Sequence, residues 1–387
     1  MWYFVSPQVV FGEGALDALD ELPGRRALIV TDTVVLQLGL VARVQAHLDT
    51  AGLEVRVFAE VEPDPSVATA RLGAQLAAEW APDWIIAVGG GSVLDAAKAI
   101  WVLYERPDLQ PEEINPFVRL DLRRKARLVT IPTTSGTGAD VTWAIVLTDT
   151  AAQRKMGLGN RENAADIAIV DPSMAAGMPP QLTADTGLDA LVHAVEGYTC
   201  AWHNDLTDGL CLNAARLVLD HLPRAVADGS DLEARERLHN AATCAGLGFG
   251  NAMASVAHAM GHVLGAVFHL PHGRAVGICL PYTVEFAARE APERFADLAC
   301  FLRCSTAAGE EGARALAAAL RSLCRQMGVP TSLAEAGVER AALDAQLDKL
   351  VEDAFNDTQM VTAVRCPSYE ELQRLFLYVY AGQTVDF

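Results

Sequence analysis

The chain has 387 residues, 51% of them hydrophobic, and 30 Lys and Arg stand against 49 Asp and Glu for a formal net charge of -19. That length suits roughly two domains, and so apolar a composition excludes a disordered chain. The acidic surplus argues against a nucleic acid or an anionic membrane as partner, since either would repel it.

The first fourteen residues, MWYFVSPQVVFGEG, have no basic n-region, no apolar h-region and no Arg-rich transit pattern. No apolar run reaches membrane-spanning length without a charge or breaker, so a cytoplasmic location is expected. Gly12 and Gly14 read as turn residues. RALIV (26–30) reads as a strand ending at Thr31-Asp32, and LEVRVF (53–58) as a second. Residues 62–66 form a turn, with Ser66 capping a helix that carries Val67, Leu72, Leu76 and Trp80. WIIAVGG (84–90) is a third strand, followed by a helix from Ser92 to about Tyr104, and RLVTIP (127–132) is a fourth. Apolar strands alternating with helices imply a parallel sheet covered on both faces. From about Thr183 the pattern turns to Ala/Leu-rich helical periodicity, over 185–199, 205–227, 232–245 and 310–327. The change falls near Met178-Pro179-Pro180. The expected fold is therefore α/β plus all-α: a Rossmann-like parallel-sheet domain over 1–180 and a helical domain over 181–387. The eight cysteines form no CxxC pair and read as reduced, mostly core residues.

Gly89-Gly90-Gly91-Ser92 follows the third strand and opens a helix. Glycines admit a pyrophosphate to the backbone, and free N–H groups at a helix start favour an anion. The run does not match GxGxxG. A second loop, PTTSGTGAD (132–140), follows the fourth strand with small hydroxyls and glycines suited to phosphate, ribose or carboxamide groups. An ordinary Ser/Thr-rich connection has the same composition. Two such loops at strand ends of one sheet point to one shared ligand. Asp32, at a strand tip, suits a ribose 2′-hydroxyl and would repel a 2′-phosphate, which favours NAD over NADP. It precedes the Gly loop, the reverse of the usual Rossmann order.

Asp189 and His193 are four apart, so a helix places them on one face. His258 and His262 repeat that spacing, and His272 follows a Leu-Pro turn. A single histidine is more often a hydrogen-bonded core residue than a ligand. The crowding of His258, His262, His269 and His272 beside an Asp-x3-His pair changes that balance. The candidate set is Asp189, His193, His258 and His272, one carboxylate and three imidazoles suited to a borderline divalent ion such as Fe²⁺ or Zn²⁺. His269 has no clear partner and is left out.

The Gly89–Ser92 run, PTTSGTGAD, TGLDALVHAVEGY, AHAMGHVLG and PHG together resemble the iron-containing (group III) alcohol dehydrogenases, a family that includes lactaldehyde reductases and 1,3-propanediol dehydrogenases. The likeness runs from FGEGAL to the C-terminal helix. It implies the dehydroquinate synthase-like fold, with a Rossmann-like domain, a helical domain and an active site in the cleft between them. Carried over, the metal ligands are Asp189, His193, His258 and His272. Asp32, Asp64, Gly90, Gly91, Ser92, Thr133, Thr134 and Lys155 fall where the family contacts NAD, and Phe249 where an aromatic ring lines the substrate cavity. His262 matches a histidine near the nicotinamide; relaying the substrate proton and orienting a ligand are both open to it. The chain departs from the family at Asp140 (usually Glu), at Asp64 (often Asn) and at Arg365-Cys366-Pro367-Ser368 (often Asn-Pro-Arg).

The implied activity is reversible oxidation of a small alcohol to an aldehyde or ketone. A divalent metal, Fe²⁺ or alternatively Zn²⁺, holds the substrate oxygen, hydride passes to nicotinamide, and the family's members commonly pair as homodimers. The alternatives are a zinc-dependent glycerol dehydrogenase-like or dehydroquinate synthase-like enzyme. The latter calls for more basic side chains than the ligand-bearing helices offer, Arg274 being the nearest. A non-catalytic nucleotide- or metal-binding protein is disfavoured because no ligand position is missing.

Overall fold

The computed structural model describes residues 3–150 and 154–387. The chain divides into two compact units, Met1–Gly177 and Met178–Phe387.

The first unit runs β1 (Gln8–Phe11), β2 (Arg26–Val30), α1 (Thr33–Gln37), α2 (Leu40–Thr50), β3 (Glu54–Phe58), α3 (Val67–Trp80), β4 (Trp84–Gly89), α4 (Gly91–Glu105), β5 (Arg127–Pro132), β6 (Ala144–Asp149), β7 (Arg154–Gly159), β8 (Ile167–Val170) and α5 (Pro172–Ala175). Among the described residues, six strands form one sheet in the order β1-β8-β5-β4-β2-β3, and every pairing in it is parallel. β4 lies inside the sheet and all six of its residues are buried, which is why WIIAVG lacks the polar alternation of a one-sided strand. Its neighbours show the two-residue period of a strand. Leu28, Ile85 and Leu128 join one core with residues of α3 and α4. Ile29, Ile86 and Val129 join the other with residues of α2.

The strand order places the ligand loops. From β2 the chain moves outward to β3, returns to β4 beside β2, and continues the other way to β5 and β8. The reversal falls between β2 and β4, and in open parallel sheets ligands bind outside the strands' carboxyl ends at such a point. Asp32 follows β2 and Gly90 follows β4.

β1, β8 and the antiparallel β6–β7 hairpin are strands that the sequence patterns above do not give. β1 and β8 are four residues each, too short to show a period. β7 carries an Arg, a Lys and two glycines in six residues. The four expected strands and the Ser66-capped helix are present, Ser66 Oγ accepting the Thr69 N–H at 3.1 Å. Leu72, however, is 45% exposed, and α3 turns Ala70, Gly73, Ala74 and Ala77 inward instead.

The second unit consists of α6 (Pro180–Thr199), α7 (Asp205–Ala227), α8 (Leu232–Phe249), α9 (Val256–Phe268), α10 (His272–Ala287), α11 (Pro292–Phe301), α12 (Gly309–Gln326), α13 (Arg340–Phe355) and α14 (Tyr369–Ala381). α6 is at its centre, packed against α7, α8, α9 and α10 and buried on nearly every side from Thr183 onward. Two glycines allow close approaches of α10 to its neighbours. A Cβ on Gly273 of α10 would lie 1.9 Å from the Asp185 carbonyl oxygen of α6, and one on Gly261 of α9 would lie 3.0 Å from the Val276 backbone of α10. All eight cysteines are free. Among the described residues, no helix is long and apolar enough to cross a membrane.

Candidate active site

Three helices bring the histidines together. α6 presents Asp189, His193 and Glu196 at i, i+4 and i+7, one face of a helix. α9 presents His258 and His262 in the same way, and α10 begins at His272. Asp189, His258 and His272 each offer one ligand atom, all within 4.8 Å of one another. Asp189 Oδ1 lies 3.3 Å from His272 Nε2, 3.7 Å from His258 Nε2 and 3.7 Å from His193 Nδ1. His193 stands beside that trio, its ring stacked on His258 at 4.5 Å between centroids. His269 ends α9 in a left-handed conformation and is exposed.

The cluster is closed on one side and open on the other. The side chains of Asp189, His193 and His258 are 3%, 6% and 4% exposed, whereas His272 is 42% and His262 37% exposed. Asp189 Oδ1 and His258 Nε2 are buried and accept or donate no hydrogen bond among the described residues. Orphaned polar atoms at this depth are costly, and two of them converging beside a third ligand atom fit a divalent cation, with the exposed side left for a further ligand.

The electrostatics agree with a site made for positive charge. Burial alone would raise the Asp189 carboxyl, but the His193 and His272 rings and the close approach of His258 hold it well below the usual carboxylate range. Burial pulls the His258 imidazolium down, yet its contacts with Asp189 and Glu196 outweigh that and push it up to about 9. A cation at the same point would take over the protons' role of balancing Asp189.

Two carboxylates that the sequence patterns did not single out complete the surroundings. Glu196 Oε2 faces His258 Nδ1 at 2.6 Å. Asp357 Oδ2 faces His262 Nδ1 at 2.8 Å, and its Oδ1 accepts the Gln359 N–H at 2.8 Å. Loss of hydration lowers the His262 imidazolium, which Asp357 only partly offsets. Glu196 was legible in principle as the third member of the i, i+4, i+7 row. Asp357 lies 95 residues from its histidine in a stretch with no motif, and only the fold brings it near.

Phe249, at the end of α8, stacks flat on His193, with 3.8 Å between centroids and 10° between planes. Arg274 is committed to Asp185 through two bonds, Nε to Oδ1 at 3.0 Å and Nη2 to Oδ2 at 2.9 Å. It is therefore not a spare cation for the anionic substrate of a dehydroquinate synthase-like reaction, and that alternative is not favoured.

The expected dinucleotide residues all lie in the first unit. Asp32 caps α1, its Oδ1 accepting the Val35 N–H at 2.8 Å. Gly90 is the cap of α4, with no side-chain oxygen on the helix start. A Cβ on Gly90 would lie in ordinary contact with the Thr134 side chain at 3.4 Å, so no clash requires the glycine there. Thr133 is tied to β4 by its N–H to the Gly89 carbonyl at 3.0 Å. Asp64, at φ 55°, bonds Lys155 Nζ at 2.7 Å, and its N–H reaches Ser92 Oγ at 3.4 Å.

A parallel sheet with polar loops at its strand ends, and a helical unit holding a carboxylate among imidazoles, supply the parts of a metal-dependent oxidoreductase. Residues 6–172 match the family model for iron-containing alcohol dehydrogenase, and residues 183–380 that for the C-terminal part of the Fe-containing alcohol dehydrogenase family. The chain belongs to the iron-containing alcohol dehydrogenase family. It is similar to the NADPH-dependent butanol dehydrogenase of Clostridium saccharobutylicum, 39% identical over 390 residues and 100% of both chains. It is 38% identical to the bifunctional aldehyde-alcohol dehydrogenase AdhE of Escherichia coli K12 over 99% of this chain but 46% of that one, so it spans under half of the bifunctional protein. The crystal structure of a 1,3-propanediol oxidoreductase superposes with a TM-score of 0.93 at 32% identity, covering 98% of this chain and 100% of the other. The chain is thus an oxidoreductase of the alcohol dehydrogenase class, linked to a nicotinamide dinucleotide.

Proposed function

We propose that the protein interconverts a small alcohol and its aldehyde with NAD(H), using a divalent ion, Fe²⁺ or Zn²⁺, held by Asp189, His193, His258 and His272. The observation that carries this reading is the pair of orphaned buried atoms, Asp189 Oδ1 and His258 Nε2, beside His272 Nε2. When bound, the ion supplies Lewis acidity toward a hydroxyl or carbonyl oxygen, and the nicotinamide accepts or gives the hydride.

The chain's own residues do the rest. Asp189 contributes the negative charge that makes a cation favourable at the site. His262 donates its Nδ1 proton to Asp357, which leaves Nε2 to take a proton from the substrate hydroxyl and pass it to water on the exposed side. Phe249 holds the His193 ring flat and offers an apolar edge to an alkyl group. In the first unit, the N–H groups at the start of α4, from Gly91 and Ser92, receive the pyrophosphate across Gly90. Thr133 and Thr134 bond the cofactor's polar groups, and the Asp64–Lys155 pair flanks them. Asp32 bonds the ribose and selects against a 2′-phosphate, the preference that separates this reading from the NADPH dependence named for the butanol dehydrogenase. The reading is of a cytoplasmic enzyme acting as a homodimer.

The test is metal analysis together with an NAD(H)-coupled screen of primary and secondary alcohols and aldehydes under anaerobic conditions. One divalent ion per chain is expected, with turnover lost on chelation and restored by readdition. His258→Ala should lose both ion and turnover. Full activity in metal-free protein would dispose of the reading.

A further inference from the structure

Glu196 is 4% exposed, and its carboxylate gathers three donors from one turn of another helix. Oε1 accepts the Ala257 N–H at 2.6 Å, and Oε2 accepts the Ser255 N–H at 2.9 Å while facing His258 Nδ1 at 2.6 Å. A helix begins with N–H groups that have no partner within it. Ser255, the cap residue of α9, makes no side-chain bond to them. A carboxylate from α6 does that work instead, from about sixty residues away in the sequence.

We propose that Glu196 is the positioning residue of the metal centre: it seats the first turn of α9 and fixes which nitrogen of His258 is free to bind an ion. The inference rests on reading Asp189, His193, His258 and His272 as ligands. A neutral imidazole bears one N–H, and only the bare nitrogen binds a metal. A carboxylate 2.6 Å from Nδ1 requires the proton there, because the opposite tautomer would set a lone pair against negative charge. In the neutral ring that metal binding requires, Nε2, the nitrogen turned to Asp189, is then the bare one. The two backbone bonds hold Ser255 and Ala257, immediately before His258, so the main chain leading into it is anchored by the same carboxylate as its ring. Glu196 also shares α6 with Asp189 and His193. One rigid helix thus presents two donors directly and aims a third from a different helix, and the donors cannot drift independently.

The variants Glu196→Gln and Glu196→Ala test this in the full chain. A Gln amide has one acceptor atom, and whichever way it turns, its NH₂ opposes at least one of the three donors. Wild type and variants would be stripped and titrated with Co²⁺ and Zn²⁺ against a competing chelator. The Co²⁺ absorption spectrum and the melting temperature of the metal-free proteins would be recorded alongside. Both variants should bind the ions on the order of 10- to 100-fold more weakly, with an altered Co²⁺ spectrum. If Glu196→Gln lowers only the metal-free melting temperature, with affinity within about two-fold of wild type and the spectrum unchanged, Glu196 is merely a helix cap and the proposal is overturned. The same variant decides the matter if Glu196→Ala does not fold. Failure of wild type to bind either ion would overturn the ligand reading itself, a result distinct from wild-type binding with an unaffected variant.

Discussion

Three consecutive residues lock α10 onto α6: His272 approaches Asp189, Gly273 lies against the Asp185 carbonyl, and Arg274 grips the Asp185 carboxylate. Gly273 is the least forgiving of them. Gly273→Ala would place a methyl 1.9 Å from a backbone oxygen and force the helices apart. We expect a loss of about 3 kcal/mol or more in stability and poor metal retention, read by thermal unfolding and metal content. Asp32 carries a separate prediction. Because its side chain caps α1, Asp32→Ser keeps a capping oxygen and removes only the charge. The ratio of kcat/KM for NADP over NAD should rise, with unfolding little changed; an unchanged ratio would remove Asp32 from cofactor choice. The residue types and spacings sufficed to nominate Asp189, His193, His258, His262 and His272, because helical periodicity and a short Leu-Pro turn are local properties. Glu196 and Asp357 escaped because what makes them matter is a contact made by the fold between distant segments.

Among the elements, the parallel strands β2, β4 and β5 could be read from the sequence because burial on both faces writes a continuous apolar run, and the edge strand β3 because its apolar residues alternate with charged ones. The β6–β7 hairpin could not, and a buried charge explains how it is held. Lys98 of α4 is wholly buried, with Nζ donating to the Ala144 carbonyl at 2.9 Å and lying 3.5 Å from Asp95. Asp95 in turn accepts the Val146 N–H at 2.9 Å. The pair thus fastens β6 to the helix that opens at Gly91. Burial lowers Lys98 and raises Asp95, each partly offset by the other's charge. Lys98→Met should destabilise the protein by about 3–5 kcal/mol, because it strands Asp95. Adding Asp95→Asn should restore part of that loss. Additive losses in denaturant titration would show that the two residues are not coupled.

Across the molecule, the candidate metal ligands all lie in Met178–Phe387, and the candidate dinucleotide residues all lie in Met1–Gly177. Each unit has its own apolar core. A ligand that binds only the folded form stabilises what it touches. Chelation should therefore speed amide hydrogen exchange in α6, α9 and α10 and leave β2, β4 and β5 nearly unchanged, while NAD should slow exchange at the start of α4. Uniform acceleration in both units on chelation would contradict this assignment. The sequence changes periodicity near Met178-Pro179-Pro180, and the first compact unit ends at Gly177. The paired anchoring of residues 272–274 to one turn of α6 has a last consequence. With main-chain fit and an ion pair acting as a keyway, the coordinating imidazole of α10 is in register before any cation arrives. Little ordering entropy is then left for loading to overcome, so uptake should be fast and limited by desolvation of the incoming ion rather than by folding of its cage.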